Sequence, residues 1–119
     1  MKHQELLSGF IRLHILHHAV EEDVHGQWMI AELARHGYRL SPGTLYPMLH
    51  ALERRGYLVS RTERLGRTQR RLYRATPLGA EALAAARRKL GELFHELVED
   101  RARPRRRASS KRDFDNENR

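Results

Sequence analysis

Hydrophobic residues cover most of a helical circumference between residues 5 and 20, where the polar residues form only a narrow strip. This pattern predicts a first helix that is buried on two sides. A chain of 119 residues can build its single core on one of these sides. We expect a partner subunit to cover the other side, with Leu6 and Phe10 at the interface.

A second helix is predicted from residue 23 to about residue 36. Acidic residues at positions 21 to 23 interrupt the first apolar pattern. Asp23 is a suitable N-cap because its carboxylate can accept a hydrogen bond from the first helical turn. Gly37 marks the helix end. The expected buried stripe consists of Trp28, Ile30, Leu33 and Ala34.

The third predicted helix has the clearest boundaries. Ser41 is a good N-cap, Pro42 suits the first helical position because no backbone donor is needed there, and Gly56 ends the helix. Its apolar face has the spacing i, i+3, i+4 and i+7 and consists of Leu45, Met48, Leu49 and Leu52. Pro47 removes one backbone hydrogen bond inside this helix, so we expect a slight bend.

Two short β-rich runs, residues 57–64 and 70–75, follow the third helix. The intervening residues 65–69 include a glycine and predict the tip of a β-hairpin. The hairpin carries Arg61, Arg64, Arg67, Arg70, Arg71 and Arg74. Their charges suit the neutralisation of phosphates. Because side chains alternate along a strand, these arginines cannot all face the same way.

A long fourth helix is predicted over residues 77–100. Thr76 and Pro77 repeat the cap-and-proline signal of a helix start. The helix has an apolar stripe with heptad spacing, so we expect it to pair with a second copy of the chain. Together with the first helix, the expected dimer interface includes Leu6, Phe10, Leu83, Leu90, Leu93, Phe94 and Leu97. Residues 101–119 lack apolar periodicity and are predicted to be a disordered basic tail.

Charge favours a nucleic-acid partner. The formal net charge is +8, and the excess lies in two blocks at residues 54–74 and 101–112. The chain contains no cysteine, which excludes disulfides, cysteine–zinc sites and thiol catalysis. No stretch approaches the roughly 18 apolar residues that a membrane span requires. We therefore expect a cytoplasmic protein without a membrane partner.

No group of residues predicts an enzyme, a cofactor or a metal centre. The carboxylates at positions 21 to 23 point in different directions, and no nucleophile accompanies them. His14 and His18 stand four residues apart, as zinc-binding pairs do, but we expect Glu21 and Glu22 to lie beyond the helix end. We predict packing or pH-sensitive roles for these histidines.

The order of these elements is typical of a winged helix-turn-helix that binds double-stranded DNA. We predict a mainly α fold of the α+β winged-helix type, with a DNA-binding domain at residues 1–76 and a dimerisation helix at residues 77–100. The third helix would read the major groove while the wing contacts phosphates. The predicted DNA-binding residues are Ser41, Gly43, Thr44, Tyr46, His50, Arg54, Arg61, Arg64, Arg67, Arg70 and Arg71. The alternative is an adaptor whose arginines bind acidic proteins.

Several motifs resemble those of the PadR family of bacterial transcriptional regulators. The most specific is Gly-Thr-Leu-Tyr-Pro at residues 43–47, and His-Gly at 25–26, Arg-Arg-Leu-Tyr at 70–73 and Thr-Pro-Leu-Gly at 76–79 add to it. The resemblance implies a short-form homodimer that binds an inverted repeat near a promoter, usually as a repressor. It also implies release by a small-molecule effector in some members, in a seam pocket to which Phe94 would contribute. The indole of Trp28 could stack on an aromatic ligand there.

Overall fold

The computed structural model describes residues 3–99. Its elements are α1 (Gln4–Glu21), α2 (Gly26–Arg35), α3 (Pro42–Arg54), β1 (Leu58–Leu65), β2 (Thr68–Ala75), α4 (Pro77–Phe94) and a π-helical turn (His95–Glu99). The predicted mainly α fold with a two-stranded antiparallel wing is confirmed. The predicted tail at residues 101–119 lies outside the described residues, as does the predicted helix end at residue 100.

The core forms where α1, α2 and α3 pack together over the base of the hairpin. Its buried members from the helices are Ile11, Ile15, Leu16, Ala19, Met29, Leu33, Leu45, Met48, Leu49, Leu52 and Leu83. The predicted inward face of α3 is therefore confirmed, and α3 runs through Pro47 without interruption. On α2 the buried positions are Gly26, Met29 and Leu33, whereas the other predicted members of the stripe are only half-buried. The stripe is thus rotated toward Met29, which lies four residues before Leu33 on one helical face.

The start of α2 differs from the prediction. His25, not Asp23, is the N-cap, and its Nδ1 accepts a hydrogen bond from the backbone N–H of Trp28 at 3.3 Å. Val24 exchanges two backbone hydrogen bonds with Tyr73 of β2, at 2.9 and 2.7 Å. This bridge holds the chain extended through residue 24, so the helix starts later and Asp23 is left outside it.

The hairpin is longer and tighter than predicted. Both strands extend into the expected tip, and Leu65 pairs with Thr68. Only Gly66 and Arg67 remain in the turn. Gly66 has a φ of 63°, and Arg67 is not among the non-glycine residues with positive φ. Glycine at the first central position is typical of a type II′ turn, whose twist matches that of the strands.

The first turn of α4 is fixed to the end of α3. Gly79 N–H donates to Thr76 Oγ1 at 3.0 Å, which confirms Thr76 as a cap. The same hydroxyl donates to the carbonyl oxygen of Gly56 at 2.5 Å. Leu83, which the sequence placed in the dimer interface, is only 5% exposed and belongs to the core of its own chain. Its place near the start of α4, where the helix packs on the winged helix, explains this correction.

The described chain divides into two compact units inside α4, after Arg87. In the first unit, Leu6 and Phe10 of α1 are exposed, Leu6 by 79%. In the second unit, Leu90 is half-buried and Leu93, Phe94, Leu97 and Val98 are exposed. Each unit therefore presents apolar side chains that its own residues leave uncovered.

His14 lies in a group of aromatic side chains between α1 and α2. Its ring centroid is 4.8 Å from that of His36 and 5.3 Å from that of Tyr38. Burial, and then the charges of the neighbouring histidines, lower the pKa of His14 from its ordinary value of 6.5. His14 is therefore a group that the folded chain keeps neutral at pH values where the unfolded chain would protonate it.

We expect His14 to make the protein less stable in acid. As pH falls below the ordinary pKa of 6.5, the unfolded chain binds a proton that the folded chain binds only at lower pH, so protons favour unfolding. His14→Gln removes this proton site. The unfolding free energy of the wild type minus that of the variant should therefore decrease as pH falls from about 7.5 to about 5.5. Urea denaturation at each pH measures it, and a difference independent of pH would contradict the prediction.

Candidate nucleic-acid interface

The outer face of α3 presents the polar residues that the sequence singled out. Ser41, Gly43, His50 and Arg54 are exposed, and Thr44 is half-buried. Ser41 occupies the predicted N-cap position, but its side chain makes no capping bond to the backbone. Its Oγ lies 3.4 Å from Thr44 Oγ1 instead. These two hydroxyls stand together at the start of the helix, where backbone N–H groups and the helix dipole favour an anion such as a phosphate.

Tyr46 projects from α3 toward the start of α2. A Cβ atom added at Gly26 would overlap the Tyr46 ring, so the absence of a side chain at Gly26 makes room for this ring. Beside it lies a cleft of about 500 Å³ between the start of α2, α3 and the wing. The cleft is lined by His25, Gly26, Gln27, Tyr46, Thr68, Gln69, Arg70 and Arg71. The Arg71 guanidinium in its lining can attract a phosphate.

Three of the six hairpin arginines are bound to carboxylates of the same chain. Asp23 accepts hydrogen bonds from Arg61 at 2.8 Å and from Arg74 at 3.4 Å. Glu63 accepts one from Arg70 at 2.9 Å across the strands. All three pairs are partly exposed, so each contributes little to stability. They do reduce the positive charge that these arginines offer to a polyanion.

The other three arginines carry the free charge of the wing. Among residues 3–99, Arg64 and Arg67 form no salt bridge, and Arg67 lies in the two-residue turn at the tip. Arg71 donates to Ser60 Oγ at 3.2 Å. In the antiparallel register, Arg64 pairs with Gln69 and Arg71 with Thr62, which places both arginines on one face of the hairpin. The opposite face carries the three arginines that are ion-paired.

Two consecutive side-chain hydrogen bonds connect this face of the wing to α3. Ser60 Oγ donates to Glu53 Oε2 at 2.7 Å and accepts from Arg71 at 3.2 Å. Glu53 lies near the end of α3, so the chain of bonds fixes the base of the wing relative to that helix. An exposed helix and a basic ribbon are thereby held at a constant distance, as simultaneous contact with a groove and its flanking phosphates requires.

His25 and Gln27 line the cleft but were not predicted as site residues. The bond from Trp28 N–H to Nδ1 of His25 leaves Nε2 to carry the proton when the ring is neutral. Gln27 is exposed one position inside the helix. A sequence signal for His25 was the His-Gly pair at positions 25 and 26, which supports the family resemblance but does not by itself indicate a contact with DNA. A helix start next to the arginines of the wing makes both residues candidates for phosphate contact.

The two residues of the predicted effector pocket lie in different compact units. Trp28 is half-buried, and its ring lies edge-on to His18 with centroids 5.2 Å apart. Phe94 is exposed. Each position is compatible with an aromatic contact, and the pocket itself stays a prediction. Within the described part of the chain, no helix is both long enough and apolar enough to cross a membrane.

Comparison with known proteins points in the same direction as this geometry. The sequence profile of the transcriptional regulator PadR-like family matches residues 15–85. Transcriptional regulator Rv3488 of Mycobacterium tuberculosis is 54% identical over 95 residues, which cover 80% of this chain and 89% of the relative. A PadR family transcriptional regulator from Eggerthella lenta is structurally similar, with a TM-score of 0.72 and 28% identity over 80% of this chain and 84% of that chain. A PadR-like transcriptional regulator from Bacillus cereus shares the fold with a TM-score of 0.74 at 22% identity, over 85% of this chain and 99% of that chain.

Proposed function

The chain belongs to the PadR-like family of transcriptional regulators, and on this premise we propose that it is a homodimer that binds a palindromic operator and represses transcription. The observation that carries the proposal is the exposed polar face of α3 beside a wing on which three arginines form no salt bridge with any of residues 3–99. A helix fits the major groove of B-DNA, and free arginines at its side can neutralise the adjacent phosphates.

In the proposed complex, α3 chooses the sequence and the wing supplies affinity. We expect Thr44 and His50 to contact base edges, and Ser41 and Arg54 at the two ends of α3 to contact phosphates. Arg64 and Arg71 would follow the sugar–phosphate backbone on one face of the wing. Arg67, in the two-residue turn at the tip of the wing, would contact a further phosphate.

The exposed apolar residues of α1 and α4 support the dimer. Leu6 and Phe10 in the first unit, and Leu93, Phe94 and Leu97 in the second, are exposed in the single chain. Large apolar side chains grouped in this way are typical of surfaces that a partner covers. A twofold dimer would present two copies of α3 to half-sites about 34 to 36 Å apart, so an inverted repeat is the expected operator.

Selection of bound sequences from a random duplex pool tests the proposal. We expect enrichment of an inverted repeat whose half-sites are about one helical turn apart. The selection should be made at moderate salt, where phosphate attraction alone is weakened. Selection without any enriched sequence would contradict sequence-specific binding and favour the adaptor alternative. Repression itself is tested by placing the selected repeat between a promoter and a reporter gene.

Arg67→Ala should weaken binding to all duplexes by a similar factor. Loss of one phosphate contact should also reduce the slope of log affinity against log salt by about 1. Arg61→Ala is the matched control, because the same residue type on the same hairpin is held by Asp23 at 2.8 Å. Its effect on binding should be smaller. Fluorescence anisotropy with an operator and an unrelated duplex measures both variants, and a loss confined to the operator would contradict the role of Arg67.

A cytoplasmic location is expected from the proposed function, and release by an effector is a further part of the proposal. A regulator of this kind acts where the DNA is, and it needs no catalytic group. Release by a small molecule that contacts Trp28 and Phe94 is the finer part of the proposal. It is supported by the aromatic character and accessibility of the two side chains. Tryptophan fluorescence reports on it directly, because Trp28 is the single tryptophan of the chain.

A further inference from the structure

Three potential metal ligands come together in the last turns of α1. The side chains of His17, His18 and Glu21 place one ligand atom each within 4.8 Å of the others. His17 Nε2 is 3.9 Å from Glu21 Oε2. His17 and Glu21 are well exposed, with 41% and 61% of their side-chain surface accessible. A cation could therefore reach the three ligands and complete its coordination with water.

No metal site was predicted here from the sequence, because the end of α1 was expected before Glu21. The sequence placed Glu21 beyond the helix, but α1 extends through Glu21 and makes it the i+4 neighbour of His17. The carboxylate thus rises on the same face as the imidazole. The negative end of the α1 dipole adds to the attraction for a cation.

Glu32 of α2 orients the second imidazole. Its Oε2 is 3.5 Å from His18 Nε2, and its side chain is only 11% exposed. At this distance the Glu32 carboxylate can accept a hydrogen bond from His18 Nε2, and Nδ1 is then the nitrogen with the lone pair. Histidines that bind metals commonly donate their other N–H to a carboxylate in this way.

Arg87 of α4 competes for the first imidazole. Its Nη2 lies 3.3 Å from His17 Nδ1 and can donate to that nitrogen only when Nε2 carries the proton. A metal on Nε2 would place the proton on Nδ1, so both groups would be donors and the Arg87 contact would break. Metal binding by His17 and the hydrogen bond between Arg87 and His17 are therefore mutually exclusive in this geometry.

We propose that His17, His18 and Glu21 form a binding site for a divalent transition metal ion of the zinc, nickel and cobalt class, and that metal binding releases Arg87 from α1. Two imidazoles and one carboxylate, with an open position for water, are a ligand set that these ions accept. The site shares no residue with the α3 and wing surface, and the proposal does not depend on the proposed operator binding.

Zinc binding to the untagged full chain tests the proposal. A chromophoric chelator competes for Zn²⁺, and the wild type should bind one equivalent per chain. Glu21→Gln and His17→Ala should each weaken binding by at least about tenfold. Glu22→Gln and His50→Ala are matched controls, because they remove an adjacent exposed carboxylate and an exposed histidine of α3 that are outside the ligand set. Circular dichroism verifies that each variant keeps its helix content.

Arg87→Gln tests the competition with α4. Because it removes the guanidinium and its positive charge from His17 Nδ1, this variant should bind Zn²⁺ several-fold more tightly than the wild type. Unchanged affinity in Glu21→Gln, or an equal loss in either control, would overturn the site. Unchanged or weaker affinity in Arg87→Gln would overturn the release of Arg87.

Discussion

Leu93→Arg should convert the protein to a monomer and reduce its affinity for a palindromic operator by at least about a hundredfold. Leu93 is 40% exposed in the single chain and lies in the proposed dimer interface, so arginine can reach solvent in the monomer. In the dimer the same charge would be buried without a partner, which is strongly unfavourable. The large loss of affinity arises because each α3 would then bind its half-site alone.

Two comparisons separate dimer loss from damage to the DNA-binding surface. Leu78→Arg is the control, because Leu78 is also an exposed leucine of α4, at 47%, but belongs to the winged-helix unit. It should remain dimeric in analytical ultracentrifugation. On a duplex with a single half-site, Leu93→Arg and the wild type should bind with similar affinity. A Leu93→Arg protein that keeps the dimer mass would exclude Leu93 from the interface.

Helix α3 could be predicted almost completely because its determinants are local. The cap position of Ser41, the proline after it and the glycine after its end act within one turn of the helix. The four buried residues follow from helical periodicity, which needs no knowledge of what they pack against. The remaining residues of α3 form its exposed face, so the polar residues of the candidate site could be predicted from the same pattern.

The start of α2 and the length of the hairpin could not be predicted because distant residues determine them. Asp23 would be an adequate N-cap in isolation. The bridge between Val24 and Tyr73 overrides this preference by adding two backbone hydrogen bonds to a strand far along the chain. Similarly, the two-residue turn at Gly66 allows Arg64 to pair with Gln69 and Leu65 with Thr68, two cross-strand pairs that a loop over residues 65–69 would lose.

The six hairpin arginines show the same limit at the candidate site. In the sequence they are equivalent basic residues. Their pairing depends on register, which sets Arg70 beside Glu63, and on the displaced Asp23, which accepts from Arg61. The charge available for DNA is thus decided by contacts that no local pattern contains. The DNA contacts of these residues stay predictions until variants are measured.

Gly79→Ala should destabilise the protein, whereas Gly91→Ala should stabilise it. Both glycines lie in α4. A Cβ at Gly79 would overlap the backbone carbonyl oxygen of Tyr57, but nothing lies within 4 Å of a Cβ at Gly91. The change at Gly79 should therefore cost about 1 to 3 kcal/mol of unfolding free energy. At Gly91 the better helix propensity of alanine should add about 0.5 to 1 kcal/mol.

The carbonyl of Tyr57 cannot move aside easily, because hydrogen bonds hold its residue from both directions. Tyr57 N–H donates to the carbonyl oxygen of Leu52 at 2.9 Å, and its own carbonyl accepts from Thr76 N–H at 3.0 Å. Relief of the overlap would have to displace α4 and disturb the Thr76 cap. Thermal unfolding at equal protein concentration measures both variants, since the stability of a dimer depends on concentration. A melting temperature for Gly79→Ala at or above that of the wild type would show that α4 does not pack this closely on Tyr57.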